Sequence, residues 1–305
     1  MSEALVRQSH QDIQKGSKSF SLASFFFSQK QKEAAWKLYS WCRHCDDVID
    51  HSANLSEAQR QIEILITKTK DCYLGKPPTE HPWPAFYQVI MDYNIPQKYP
   101  QDLLRGFQID SLGANIVNHE ALFDYCYCVA GAVGLMMCHI MGLNSPDALQ
   151  NAVDLGRAMQ LTNIARDIHE DLKIHRVYLP TTWLQEFDLT KANFFEPANQ
   201  SQLSQVVRKL IGEAEKLYAS GLEGLRFLPL RSAWAVCIAL HVYREIGEQV
   251  LQQENFQKRV IISLPRKLFL LSKATFKILP LLATRLFKPW KSNSQIGLWS
   301  ENKSN

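Results

Sequence analysis

The sequence predicts an all-α protein. Apolar residues return with a 3.6-residue period in stretch after stretch, and no segment sustains the period-two alternation of β-branched residues that a half-buried strand needs. Loop-forming runs punctuate the pattern at Gly75-Lys76-Pro77-Pro78, Asn94-Ile95-Pro96, Asn144-Ser145-Pro146 and Glu196-Pro197. The helices fall at roughly 30–50, 56–74, 84–93, 98–111, 119–142, 146–173, 201–227, 231–254 and 266–287. With 305 residues, 46% of them hydrophobic and 21% charged, the chain buries a large core as one domain or two modest ones. No repeat or long linker divides it.

Helix 30–50 sets Tyr39, Arg43, Asp46, Asp47 and Asp50 on one side and Leu38, Trp41, Cys42, Cys45 and Ile49 mostly on another. Asp46 and Asp50 are one turn apart, so their side chains share a face and repel unless a cation lies between them. In helix 119–142 the run Ala130-Gly131-Ala132-Val133-Gly134 lets a neighbour approach closely. Helix 146–173 opens on Ser145-Pro146, a cap followed by a residue that needs no N–H in the first turn. Its polar stripe, Gln160, Asn163, Asp167 and Asp171 with Arg166 and Glu170 beside it, repeats the acidic pair roughly 120 residues along the chain. A single such pair is ordinarily a solvated face. Two, each flanked by Arg and by amide or aromatic residues, point to carboxylates projecting from facing helices into one cavity. His169 and Glu170 are expected to be exposed.

Oxygen donors without His or Cys fit Mg²⁺ or Mn²⁺ better than zinc. Such ions bridge to a diphosphate and neutralise it as its bond to carbon breaks. Arg43, Arg166 and Lys18 are candidates to share that charge, while Gln160 and Asn163 suit metal ligation or hydrogen bonding to the anion. Phe20, Phe25, Phe26 and Phe27 suit a hydrocarbon cavity, although core packing explains them as well. Tyr39, Tyr125 and Tyr243 offer aromatic faces to a carbocation.

Other classes are disfavoured. Seven cysteines, mostly inside apolar helical patterns, read as reduced thiols, and Cys42-Arg43-His44-Cys45 lacks the second half of a zinc site. Residues 1–15 carry Glu3, Arg7, Asp12 and Lys15 and read as neither a secretory signal nor a membrane span, which suggests a cytoplasmic protein. A net charge of +4 without a basic tract interleaved with aromatics does not suggest nucleic acid.

The chain resembles the squalene and phytoene synthase family over almost its full length. The likeness is carried by Gly16-Ser17-Lys18-Ser19-Phe20, by Leu38-Tyr39-Ser40-Trp41-Cys42-Arg43-His44-Cys45-Asp46-Asp47-Val48-Ile49-Asp50, and by Tyr125 through Gly134. It is strongest from Gln160 through Asp171 to Arg176-Val177-Tyr178-Leu179-Pro180. The second motif is most similar to bacterial phytoene synthases. The resemblance implies an isoprenoid synthase fold over 1–290 around a central cavity, with 291–305 as a tail. It implies metal held by Asp46, Asp50, Asn163, Asp167 and Asp171, and contacts to diphosphate or metal from Ser17, Ser19, Arg43, Gln160 and Arg166. It also implies a site lined by Phe20, Tyr39, Tyr125, Val133, Gly134 and Tyr243. The reaction it implies joins two geranylgeranyl diphosphates head to head through prephytoene diphosphate, with no NADPH. The alternatives are coupling of farnesyl diphosphate to squalene or dehydrosqualene and, in another class, a noncatalytic helical assembly factor. This sequence departs from the family pattern within Gly106–Asn115 and at His175, where a Gly is usual before Arg-x-Tyr-Leu-Pro.

The stretch 260–287 alternates apolar residues with Arg266, Lys267, Lys273, Lys277 and Arg285, too charged to span a bilayer. It reads either as a core helix with snorkelling lysines or, less favoured, as an amphipathic helix on the inner face of an anionic membrane. The sequence does not indicate an oligomeric state.

Overall fold

The computed structural model describes residues 2–113, 115–143 and 145–287, with side chains from residue 3 through residue 279. Among these residues there is no β-strand. In chain order the helices are α1 (Ser2–Gly16), α2 (Lys18–Ser24), α3 (Gln29–Asp50), α4 (Leu55–Tyr73), α5 (Trp83–Asp92), α6 (Lys98–Ser111), α7 (His119–Cys126), α8 (Ala132–Met141), α9 (Pro146–Lys173), α10 (Thr181–Gln185), α11 (Gln200–Gly224), α12 (Leu230–Val250) and α13 (Leu264–Phe287). Residues 288–305, including the whole expected tail, lie outside the described part.

Local chemistry sets the boundaries. The Ser28 hydroxyl accepts from the Gln31 N–H while the Gln31 side chain accepts from the Ser28 N–H, closing a capping box on α3. Asn54, Asn118 and Ser145 cap α4, α7 and α9 through their side-chain oxygens. Gly142 ends α8 in the left-handed conformation, φ 76°.

The expected helix 119–142 is broken. A π-helical turn, Tyr127–Gly131, separates α7 from α8, with the Tyr127 hydroxyl donating to Asp102 at 2.6 Å. Residues 119–141 are long and apolar enough to cross a membrane, and half of their most apolar window is buried within this fold.

Two apolar clusters form the core. One gathers α3, α4, α5 and α6 with Met136 and Ile140 of α8, around the stacked Trp41 and Phe86. The other gathers α9, α10, α11 and α12 with α13. Val129 and Met137 pack against both. The space between the clusters holds the cavity described below, and α9, with buried residues from Ala148 to Ile168, runs along it.

Candidate active site

Asp46, Asp47 and Asp50 lie on the last turns of α3. Arg43, one turn earlier, donates to Asp46 at 2.8 Å and pairs with Asp47 at 2.6 Å. Asp167 and Asp171 lie on the last turns of α9, and Asp167 accepts from its neighbour Arg166. The two clusters converge. Immediately after α9, the Arg176 backbone N–H donates to the Asp171 carbonyl at 2.9 Å while its guanidinium donates to Asp50 at 2.5 Å. One residue thus joins the C-terminal ends of α3 and α9. Helix C-termini are the wrong place for carboxylates, because the backbone dipole there is negative, so this concentration of acid is unfavourable without added cations.

The acidities carry the same message. Burial, then Asp50, pushes the Asp46 carboxyl up to about 7, against the pull of Arg43. Burial, then Asp167, pushes Asp171 up to about 8, with Arg176 opposing and with Asp110 and Asp50 adding to the rise. That Asp171 on α9 responds to Asp50 on α3 means one electrostatic site rather than two. Asp110, on α6, lies behind the clusters, with its carboxyl raised to about 6 chiefly by burial. It accepts from the Tyr178 hydroxyl at 2.7 Å and the Tyr125 hydroxyl at 3.2 Å.

The donor set suits a hard divalent cation. Carboxylates dominate, and the Asn163 side-chain oxygen is buried without a hydrogen-bond partner. Among the described residues, no three acidic, His or Cys side chains close on a single point. An ion bound here would therefore need ligands beyond these side chains, such as water or phosphate. All seven cysteines are free thiols.

A cavity of about 340 Å³ opens beside the acids. Its polar end is formed by Tyr39, Gln160, Asn163 and Tyr243, with Gln160 accepting from Asn163 at 3.2 Å. Phe20 stacks on Tyr243 with ring centroids 5.5 Å apart. Burial raises the Tyr39 hydroxyl to about 12 and keeps it protonated. The walls beyond are apolar, with Val133 and Gly134 among them. Glycines bring those walls together: a Cβ on Gly134 would stand 2.7 Å from the Ala152 carbonyl oxygen, and one on Gly156 would stand 2.6 Å from that of Ala130.

The expected residues are not all at the cavity. Tyr39, Gln160, Asn163 and Tyr243 line its polar end, while Arg43, Asp46, Asp50, Arg166, Asp167 and Asp171 are not part of its lining and lie one to three turns further along α3 and α9. Ser17 caps α2 by accepting from the Phe20 N–H at 3.2 Å, with Ser19 half-buried and Lys18 exposed near Lys267. Tyr125 does not line the cavity. Its hydroxyl is turned to Asp110 and its ring stacks on Tyr178 at 4.9 Å, because burying Asp110 requires donors. Of the phenylalanine run, Phe27 reaches the cavity, Phe25 is exposed and Phe26 packs on Trp234. Cys42 lines the cavity, and His169 is half-buried against Phe195 rather than exposed.

Three residues went unassigned in the sequence. Arg176 and Asp110 lie inside segments already notable for their pattern. Arg259, beyond α12, bonds Asp167 at 2.8 Å and brings a further guanidinium to the acids. Basic character was the only local signal for it.

Comparison with known proteins agrees with this geometry. The family model described as squalene/phytoene synthase matches residues 13–266. A 15-cis-phytoene synthase of Pantoea ananas is 42% identical over 282 residues, covering 89% of this chain and 91% of that protein. One of Enterobacter agglomerans is 43% identical over 270 residues, covering 85% and 91%. A crystal structure of a dehydrosqualene synthase in complex with ligand superposes with a TM-score of 0.82 at 28% identity, covering 92% of this chain and 98% of that one. The all-α architecture is that of the isoprenoid synthases, and the chain belongs to the squalene/phytoene synthase family.

Proposed function

We infer that the chain is a phytoene synthase, a prenyltransferase that joins two molecules of geranylgeranyl diphosphate head to head. The observation that carries the choice is the identity of 41–43% to several bacterial phytoene synthases over most of the chain. The site supports it physically, with an acid- and arginine-rich end for diphosphate continuous with an apolar cavity for isoprenoid chains.

Asp46, Asp50, Asp167 and Asp171, with Asn163, would hold Mg²⁺ or Mn²⁺. Such an ion, when bound, supplies charge neutralisation to a departing diphosphate. Arg43, Arg166, Arg176 and Arg259 are paired with the acids and are in place to exchange a carboxylate partner for a phosphate oxygen. The Tyr39 and Tyr243 rings, with Phe20 on Tyr243, present aromatic faces where a carbocation would form, and the apolar walls keep water from trapping it.

Two carbon–oxygen bonds break in sequence. In the first step one diphosphate leaves, the double bond of the second substrate closes a cyclopropane on the allylic cation, and one proton is lost. In the second step the remaining diphosphate leaves, the skeleton rearranges and a second proton is lost. Two diphosphates and two protons depart with no net electron transfer, so the phytoene reaction needs no NADPH.

Purified protein incubated with labelled geranylgeranyl or farnesyl diphosphate and Mg²⁺, with and without NADPH, tests this reading. A forty-carbon hydrocarbon formed without NADPH is expected, and none after chelation. A thirty-carbon product made in preference would shift the assignment to the squalene or dehydrosqualene alternative. Absence of any hydrocarbon would favour the noncatalytic one.

A further inference from the structure

We propose that Asp12 and His81 are positioning residues that seat α1 against the cavity and hold Gly16 behind the Tyr39 hydroxyl. Three polar atoms from three parts of the chain meet at one point. His81 Nε2, in the loop before α5, lies 2.8 Å from the Ser40 hydroxyl of α3 and 2.8 Å from Asp12 Oδ2 of α1. The Ser40 hydroxyl donates to the same Asp12 oxygen. A carboxylate accepts, so His81 carries its proton on Nε2. The residue types are those of a hydrolytic triad, but a triad needs the carboxylate at Nδ1 and the hydroxyl at Nε2. Here both oxygens meet one nitrogen, and Ser40 is only 3% exposed. The cluster is a clasp.

Little apolar surface holds α1 in place. Between residues 3 and 16 only Ser9 and Ile13 are buried, while His10 stacks on Trp36 with ring centroids 4.0 Å apart. With so little hydrophobic burial, directional hydrogen bonds set where the helix sits.

What the clasp holds is part of the site. Ile13, next to Asp12, lines the cavity. Gly16, one turn beyond Asp12, closes on Tyr39, since a Cβ there would stand 2.2 Å from the Tyr39 hydroxyl oxygen. Tyr39 is itself the neighbour of Ser40, so both helices are gripped close to that contact. Beyond Gly16 the chain enters α2, where Phe20 stacks on Tyr243 and Ala23 and Ser24 line the wall. A shift of α1 therefore frees the Tyr39 ring and opens a path for water to the place where the cation forms.

The chemical consequence rests on the proposed activity. Once a diphosphate has left, either the double bond of the second substrate closes on the cation or water adds to it. In the second case the oxygen of water bonds to the carbon that lost diphosphate, one proton leaves, and an alcohol forms with no electron transfer. Loosening the clasp should shift product toward this alcohol.

The test compares wild type, Asp12→Ala, His81→Ala and His81→Gln by readouts with and without turnover. In protein labelled with ¹³Cζ-tyrosine, the Tyr39 resonance, assigned with Tyr39→Phe, should shift or broaden in both Ala variants. Amide exchange of α1 should quicken in them while that of α11 is unchanged. With geranylgeranyl diphosphate, Mg²⁺ and water enriched in ¹⁸O, both should lose about 10- to 100-fold in kcat with KM little changed, and gain labelled alcohol. Label in the alcohol shows attack at carbon rather than at phosphorus. His81→Gln places an amide N–H near the position of Nε2 and should restore wild-type behaviour in every readout. An unmoved Tyr39 resonance with unchanged α1 exchange, a kcat loss without labelled alcohol, or a His81→Gln variant as impaired as His81→Ala overturns the proposal. Absence of hydrocarbon from wild type would count against the activity alone, and the resonance and exchange readouts would still decide the clasp.

Discussion

The two ends of the cavity obey opposite rules. At the polar end like charges are crowded beyond what the fold favours: Asp46 and Asp171 resist ionisation, and arginines from four places in the chain are needed to hold the cluster together. At the apolar end, glycines seat helix against helix with no room for a methyl group. The first region is poised for a ligand at some cost in stability, and the second supplies stability and shape. Substitutions should therefore separate the two, with polar-end changes damaging turnover and sparing the fold, and glycine changes doing the reverse.

The largest effect is expected at the acids. Asp171→Asn and Asp46→Asn should each lower kcat/KM by about 10³-fold or more, the scale of losing a group that stabilises charge in the transition state. Melting temperature of the ligand-free protein should hold or rise, and a marked fall would contradict the contrast. Next comes Gly156→Val, whose Cβ meets the Ala130 carbonyl. Denaturant melts should show a loss of about 1–3 kcal/mol, the range for overpacking a core.

The pH dependence of the polar end has a definite sign. Asp46 and Asp171 have folded-state pKa values raised above the unfolded value of 3.8. Their contribution is thus full below that value and lost as pH rises through about 7 and about 8. Melting of wild type should fall relative to Asp171→Asn between pH 6 and pH 8, and Mg²⁺ with inorganic diphosphate should close the gap. A gap that stays constant across this range would remove the electrostatic account of the cluster.

A smaller effect isolates one backbone position. His175 adopts φ 60°, the left-handed region that favours glycine, at the site where the family pattern has Gly. His175→Gly should raise stability by about 0.5–1 kcal/mol in a chemical melt, the cost of left-handed backbone less the extra freedom of glycine in the unfolded chain.

The same contrast explains what could be read from the chain. The acids, Arg43, Gln160 and Asn163 were legible because their relations are intrahelical, and i,i+4 spacing is visible in a string of letters. Nine helical stretches were legible for the same reason, though α1, α2 and α10 were not. α1 has few apolar residues, and α2 and α10 are too short to establish a period. Tyr125 was misplaced and Arg176 and Arg259 were overlooked because their partners are supplied by tertiary structure, 126 residues away for Arg176 and 92 for Arg259. The π-helical turn at Tyr127–Gly131 has no sequence signal comparable to a proline or a cap.

The central claim is that acids on α3 and α9 act on one anion. Isothermal titration of inorganic diphosphate, in saturating Mg²⁺, into wild type, Asp50→Asn, Asp171→Asn and the double variant measures it directly. The account predicts that binding requires Mg²⁺, that either single change weakens it strongly, and that the double variant is little worse than the poorer single one. Free-energy losses that add in full, or binding indifferent to both substitutions, would show that the two clusters do not share a ligand.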